Sequence, residues 1–200
     1  MKIDFFWDIG STNTYFALRL IRPIVTRYGA ELVMHPFNLG YVFRHHNYVL
    51  TEEPQAKLQN RGRDLRRWAE KYQLGFRMPD TFPIKTSRAL RGALVARELD
   101  VEDAYIDRLF TRYWEENDAS ISEYEGIASI AREIDTDPDL FVARCEDEDI
   151  KQQLIDITQS ALERGVLARR RFTLAVSFIG VKIAWTSLRT RYKRRVIRIN

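Results

Sequence analysis

A short polar turn follows the first apolar segment of the chain, and its residue types are those that begin a helix. Residues 3–7 are apolar and aromatic, and the next residues read Asp8-Ile9-Gly10-Ser11-Thr12-Asn13. Ser, Thr and Asn are favoured N-cap residues because their side-chain oxygens accept hydrogen bonds from otherwise unpaired backbone N–H groups. Taken alone, Ser11 is therefore an N-cap worth about 1 kcal/mol, and a chemical role for it needs further support.

Few other residues have the types and spacing that chemistry requires. His45 and His46 could act as a base or coordinate a metal, but no third ligand lies at a recognised metal-site spacing. We interpret them as exposed loop histidines and predict no metal site. Asp4 and Asp8 flank the first apolar segment, and nothing else supports paired-carboxylate hydrolysis. Cys145 is the only cysteine, which excludes an internal disulfide and a CxxC redox pair.

The elements that must position these residues follow from the apolar spacing. Residues 3–7 and 31–36 are typical of buried strands, and apolar residues recur at helical spacing between them. A strand, a helix and a strand within about 35 residues predict a parallel βαβ unit. From Pro54 to Gly165 the pattern predicts six helices. Because a two-stranded sheet is marginal alone, we expect further strands from the C-terminal segment.

The charge is divided unevenly along the 200 residues. Lys plus Arg number 32 and Asp plus Glu number 28, a formal net charge of +4. Residues 169–200 hold ten basic residues and no acidic residue, which leaves 22 basic and 28 acidic groups before them. The body is therefore acidic and the tail basic. The basic isoelectric point is not by itself evidence for a polyanionic partner.

Several ordered landmarks resemble one enzyme family, the 2-hydroxychromene-2-carboxylate isomerases. The landmarks are residues 5–11 with Asn13, Tyr15 and Ala17, the stretch 36–47, the segment 64–69, then Phe76, Pro79, Phe82-Pro83, Thr86, Ala89 and Arg91, and finally Tyr113-Trp114, Ile121-Ser122 and 161–166. These enzymes group with kappa-class glutathione transferases in the DsbA-like branch of the thioredoxin fold. The resemblance implies a single α/β, DsbA-like thioredoxin-fold domain over residues 1–200, with a large helical insertion at about 53–163.

The resemblance also implies an activity, the glutathione-dependent cis–trans isomerisation of an aromatic-degradation intermediate. In the family, a Ser at the head of the first helix contacts the glutathione sulfur, and that position is Ser11 here. A helix N-terminus favours a thiolate, which can add to a conjugated double bond, allow rotation and leave again. Asn13, Arg44 and Asn47 fall at substrate- or glutathione-binding positions, with Arg44 suited to a carboxylate. Thr12 stands where the family commonly has Pro, which leaves the substrate open.

The resemblance stops after Val166. The family then has Gly-x-Pro-Thr-Phe and later an Asp-Arg pair that reaches glutathione, whereas residues 167–172 read Leu-Ala-Arg-Arg-Arg-Phe. The codons, read one frame out, permit Gly-Ala-Pro-Thr-Phe-Tyr and then Trp-Gly-x-Asp-Arg-Leu-Asp at the expected separation. We therefore predict a frame slip near residue 167, with an aberrant basic tail over 167–200 and missing or malformed C-terminal strands. This hypothesis predicts weak or absent activity for the chain, and its nucleotide sequence tests it.

Other functions stay open. A DsbA-family thiol–disulfide oxidoreductase is disfavoured because Ser11 and Thr14 occupy the two CxxC positions. A glutathione transferase with another substrate remains an alternative. Nucleic-acid binding through the basic tail, which interleaves aromatic residues with its cations, is a third. We expect a small aromatic substrate, no nucleic-acid or membrane partner and a cytoplasmic location, and a homodimer is possible.

Overall fold

A computed structural model describes residues 2–49 and 52–166 of the chain. Its elements are β1 (Lys2–Trp7), α1 (Thr12–Arg27), β2 (Glu31–Pro36), α2 (Leu39–His45), α3 (Gln55–Tyr72), α4 (Ser87–Glu98), α5 (Glu102–Trp114), a 3₁₀ turn (Ala119–Ser122), α6 (Tyr124–Glu133), α7 (Pro138–Cys145) and α8 (Glu148–Glu163). None of the helices among these residues is long and apolar enough to cross a membrane. The tail 167–200, with the predicted frame slip, lies outside the described residues.

The N-terminal part is the βαβ unit that the sequence predicts. Strands β1 and β2 pair in parallel, with Lys2 opposite Glu31 and Trp7 opposite Pro36. Helix α1 connects them, and it begins directly after the polar turn. The carboxyl end of β1 therefore leads straight into the N-terminus of α1, where Ser11 lies.

The six helices predicted between Pro54 and Gly165 are all present as α3 to α8. The loop predicted around the histidines is wrong, because the chain forms the short helix α2 there. The side-chain oxygen of Asn38 accepts a hydrogen bond from the Tyr41 N–H at 2.8 Å, which caps the helix, and Val42 is buried beneath it. His45 is the last residue of α2 and His46 its C-cap, and both are exposed.

Aromatic side chains join the helical block to the βαβ unit. The ring of Trp114, at the end of α5, is fully buried and packs against Tyr15, Phe76 and Phe82. Its indole N–H donates to the carbonyl oxygen of Ile9 at 2.9 Å. The core thus continues from the sheet through α1 into the helices, and the turn after β1 is fixed from the helical side.

Helices α4 and α5 are in tight contact at a glycine of α4. A Cβ built on Gly92 would lie 2.2 Å from the Tyr105 hydroxyl oxygen, whose O–H donates to the Ala89 carbonyl at 3.0 Å. Gly62, in the middle of α3, has no atom within 4 Å of the same position. A side chain is therefore obstructed at Gly92 and unobstructed at Gly62.

We predict that Gly92→Ala destabilises the protein by about 1–3 kcal/mol, because Tyr105 must move and leave its hydrogen bond. The matched substitution Gly62→Ala should stabilise it by about 0.5–1 kcal/mol, since alanine loses less entropy in a helix. Denaturant unfolding of both variants measures the difference. Equal effects of the two substitutions would contradict the close approach.

Candidate active site

The turn after β1 presents Ser11 as the N-cap of α1. The Ser11 Oγ accepts a hydrogen bond from the Thr14 N–H at 3.3 Å, and its own N–H donates to the Asp8 carbonyl at 3.1 Å. The N–H groups of Thr12 and Asn13 have no acceptor among the described residues. Within the described part of the chain, the helix N-terminus therefore keeps two unpaired donors beside the Ser11 hydroxyl.

This arrangement suits a negatively charged atom. The unpaired N–H groups and the helix dipole make the N-terminus of α1 electropositive, and the first turn of α1 carries no acidic residue. The Ser11 Oγ acts as an acceptor toward Thr14, so its hydroxyl hydrogen remains available to donate. The residues present therefore fit a thiolate such as that of glutathione.

Asp8 lies buried directly beneath this turn. Its side chain is 1% exposed, and its Oδ1 accepts a hydrogen bond from the Gly10 N–H at 2.8 Å. Its Oδ2 accepts from the Leu39 N–H at 2.8 Å and from the Thr86 hydroxyl at 3.1 Å. Burial raises the pKa of the Asp8 carboxyl from its usual 3.8 to about 6, although the three hydrogen bonds oppose the rise.

A second polar junction lies next to Asp8, at the start of α2. The Asn38 side-chain N–H donates to the Ser87 hydroxyl at 2.9 Å, and the Asn38 backbone N–H donates to the Thr158 hydroxyl at 3.0 Å. Asn38 thereby ties together the N-terminus of α2, the N-terminus of α4 and the middle of α8. These three helices enclose a cavity of about 390 Å³, within the range of small-molecule sites.

The cavity wall is amphipathic and positively charged. Leu154 and Ile155 supply apolar surface, and the wall carries three cations and no acidic side chain among the described residues. Arg91 pairs with Glu146 at 2.8 Å, and Lys151 pairs with Glu146 and Glu148. Arg44, the third cation, has no ion-pair partner within residues 2–49 and 52–166. Its guanidinium is thus the cation most available to an anionic ligand.

The predicted site residues fall into two pairs. Ser11 and Asn13 lie at the head of α1, whereas Arg44 and Asn47 lie at the end of α2, where the Asn47 N–H donates to the Arg44 carbonyl at 3.1 Å. Arg44 lines the cavity, while Ser11, Asn13 and Asn47 do not. The two pairs are linked through the hydrogen bond from the Leu39 N–H to Asp8. Among the described side chains, no direct hydrogen bond joins one pair to the other.

Sequence reasoning missed Asp8 and Thr86 as parts of this site. Their hydrogen bond spans 78 residues, so no local spacing could predict it. The available signal was a carboxylate placed immediately after a buried strand, where it is surrounded by apolar residues. A buried carboxylate must find donors, and that requirement could have raised Asp8 above a flanking charge.

Cys145 is buried in α7 and does not line the cavity. Burial raises the pKa of its thiol to about 12, so a thiolate is scarce there near neutral pH. Within the part of the chain that the structure describes, no three potential ligand side chains are grouped closely enough to hold a metal ion.

Comparisons with known proteins agree on the fold. A family model described as the DSBA-like thioredoxin domain matches residues 2–167. A solved 2-hydroxychromene-2-carboxylate isomerase is similar with a TM-score of 0.71 and 22% identity, covering 82% of this chain and 80% of that one. The cytosolic disulfide reductase DsbM from Pseudomonas aeruginosa, solved with GSH, has a TM-score of 0.62 and 15% identity, covering 97% and 100%. No curated protein sequence matches the chain.

The buried Asp8 carboxyl predicts a specific dependence of stability on pH. Its pKa is higher in the folded than in the unfolded chain, so the folded state binds this proton more tightly. The contribution of Asp8 to stability is therefore fully present below about pH 4 and is lost as the pH rises through 6. Between pH 5 and pH 7 the loss should be about 1 kcal/mol.

Asp8→Asn should remove this dependence while other groups titrate as before. Urea unfolding of both proteins between pH 5 and pH 7 gives the difference curve. By contrast, the pKa of Asp118 is lowered despite burial, first by hydrogen bonds from Ser120 and then by Arg112, so its contribution is lost only at more acidic pH. A flat difference curve would contradict a raised Asp8 pKa.

Proposed function

The chain belongs to the DSBA-like thioredoxin domain family, as its sequence landmarks predict, and on that premise we propose that it is a glutathione-dependent isomerase. The proposed reaction is cis–trans isomerisation of a conjugated double bond in an aromatic-degradation intermediate of the 2-hydroxychromene-2-carboxylate type. The observation that carries the proposal is Ser11, a hydroxyl-bearing N-cap at the head of α1, beside two backbone donors that have no acceptor in residues 2–49 and 52–166.

Ser11 and the first turn of α1 stabilise a negative charge. The hydroxyl of Ser11 donates a hydrogen bond, and the N–H groups of Thr12 and Asn13 add the positive end of the helix. Glutathione, when bound, supplies the thiolate that adds reversibly to the conjugated double bond, so that none is consumed. The protein's part is to keep the sulfur ionised and fixed in position, which favours addition over protonation.

Arg44 binds the carboxylate of the substrate in this proposal. It faces no acidic partner among the described residues, and the cavity that it lines offers apolar walls from Leu154 and Ile155. A guanidinium recognises a carboxylate through two parallel hydrogen bonds, which fixes orientation as well as affinity. Asn13 and Asn47 remain predicted binding residues, at the head of α1 and directly after α2.

Thiol–disulfide exchange is the weaker alternative. It requires a reactive thiol at the head of α1, where this chain has Ser11, and its single cysteine is the buried Cys145. Glutathione transfer to another electrophile uses the same thiolate and is the stronger alternative. Assaying one preparation for isomerisation and for net consumption of glutathione separates the two, since only transfer consumes the thiol.

Replacement of Ser11 should raise the pKa of bound glutathione. Ser11→Ala removes a hydrogen bond to a charged sulfur, so we expect a rise of about one unit and at least a tenfold loss of turnover. The ultraviolet absorbance of the thiolate across a pH titration measures the pKa. Because turnover of this chain is predicted to be weak, rates are compared relative to the unsubstituted protein.

Ser11→Asp is the matched control for capping. Aspartate caps a helix as well as serine does, so stability should be kept, but its charge repels a thiolate and turnover should still be lost. A Ser11→Asp protein with unchanged turnover, or a Ser11→Ala protein with an unchanged thiol pKa, would exclude the role proposed for Ser11.

Replacement of Arg44 should weaken substrate binding without affecting the chemical step. Arg44→Gln should raise KM for a carboxylate substrate about tenfold and leave kcat nearly unchanged. The methyl ester of the same substrate should show no difference between the two proteins. Arg132→Gln, an exposed change at the end of α6, is the control. Equal KM values for Arg44→Gln and the control would rule out carboxylate binding by Arg44.

A further inference from the structure

Asp8 is a buried carboxylate next to the candidate site. It accepts three hydrogen bonds, from Gly10, Leu39 and Thr86, and its side chain is 1% exposed. None of the three donors is a cation, and no ion pair to Asp8 occurs among the described residues. Burying a carboxylate without a counter-ion costs stability. A neutral side chain at this position would not carry that cost.

The three donors belong to the three segments that bound the proposed site. Gly10 immediately precedes Ser11, Leu39 is the first residue of the helix that carries Arg44, and Thr86 is the N-cap of α4. One carboxylate therefore bonds to the turn at the head of α1, to α2 and to α4. No other side chain within residues 2–49 and 52–166 hydrogen-bonds to all three segments.

Contacts around Asp8 leave little freedom for these segments to shift separately. A Cβ on Gly10 would lie 3.2 Å from the Thr86 methyl group, so the turn and α4 are already in close approach. The hydrogen bond from Asn38 to Ser87 closes the junction between α2 and α4 on the cavity side. The Asp8 bonds thus fix both the separation and the orientation of the segments.

We propose that Asp8 is a positioning residue that ties the turn carrying Ser11 to the helix carrying Arg44, with Thr86 as its partner on α4. This inference rests on the proposed function, because it concerns the distance between the sulfur held at Ser11 and the substrate carboxylate held at Arg44. The reacting double bond lies between these two anchors. An error of about 1 Å in that distance is enough to lower a rate about a hundredfold.

The test compares variants of Asp8 and Thr86, neither of which contacts substrate in this account. Thr86→Val keeps the shape and removes the hydroxyl donor, whereas Thr86→Ser keeps the donor and removes the methyl group. We expect Thr86→Val and Asp8→Asn each to lower kcat at least about tenfold with KM changed less than about threefold. Thr86→Ser should recover kcat to within about threefold of the unsubstituted protein.

A double-mutant cycle separates positioning from general loss of stability. Asp8→Asn leaves one acceptor oxygen for three donors, and Thr86→Val removes one of those donors. Because both changes alter the same set of bonds, their effects on kcat should be strongly non-additive. Additive effects, or a kcat for Thr86→Ser as low as that for Thr86→Val, would overturn the inference. A kcat within about threefold of normal in both Asp8→Asn and Thr86→Val would also overturn it.

A measurement on the unsubstituted protein applies if the variants do not fold. Protonation of Asp8 weakens the hydrogen bonds that it accepts. The amide proton chemical shifts of Gly10 and Leu39 should therefore change with pH, and kcat should change with the same midpoint. Tyr113 of α5 is the titratable side chain on which the Asp8 charge acts, and its pKa, raised first by burial and then by that charge, keeps it neutral in this range. A kcat profile without the midpoint of the amide shifts would refute the proposal.

The outcome also separates this inference from the proposed function. If the nucleotide sequence shows no frame slip near residue 167, the absence of glutathione-dependent turnover in the unsubstituted protein would remove both. If it shows a slip, the same assay on the frame-corrected protein decides. Measurable turnover that does not respond to the Asp8 and Thr86 changes would remove the positioning role alone.

Discussion

The hydrogen bond from the Trp114 indole N–H to the Ile9 carbonyl holds the helical block in place against the βαβ unit. The two residues are 105 positions apart, and both are fully buried. If the indole moved away, the Ile9 carbonyl would be buried without this donor, and an unsatisfied buried carbonyl costs about 1–3 kcal/mol. The same side chain packs on Tyr15, so α5 is held against both the turn and the first helix.

A polar junction can form beneath Ser11 because these aromatic contacts exclude water from it. Asp8 precedes Ile9, and its carboxylate bonds to Thr86 in a segment that Tyr113 also holds, through a hydrogen bond from its hydroxyl to the Thr81 carbonyl at 3.0 Å. In this dry environment each hydrogen bond to the carboxylate is stronger than it would be at the surface. The turn is therefore held rigid by residues that lie more than 70 positions further along the chain.

The parts of this structure that could be predicted from sequence are those with local causes. The second strand has the predicted bounds, Glu31–Pro36, because a short apolar run between Gly29 and Pro36 suffices to define it. Helix α2 escaped prediction because seven residues are too few to show a period, and its stability comes from the Asn38 cap and the burial of Val42. Ser11 could be identified as the N-cap of α1 from its position, whereas the distant partners of Asp8 could not be predicted, since Leu39 and Thr86 lie 31 and 78 residues away.

The buried cysteine has a consequence for the cellular setting of such a protein. The oxidation state of a reactive dithiol pair is set by its reduction potential against that of the compartment around it. In this chain the only thiol is Cys145, which is buried in α7 and rarely ionised. Oxidised glutathione therefore finds no accessible sulfur with which to form a mixed disulfide. In this sequence, the fold shared with disulfide enzymes therefore offers no accessible thiol of its own for disulfide exchange.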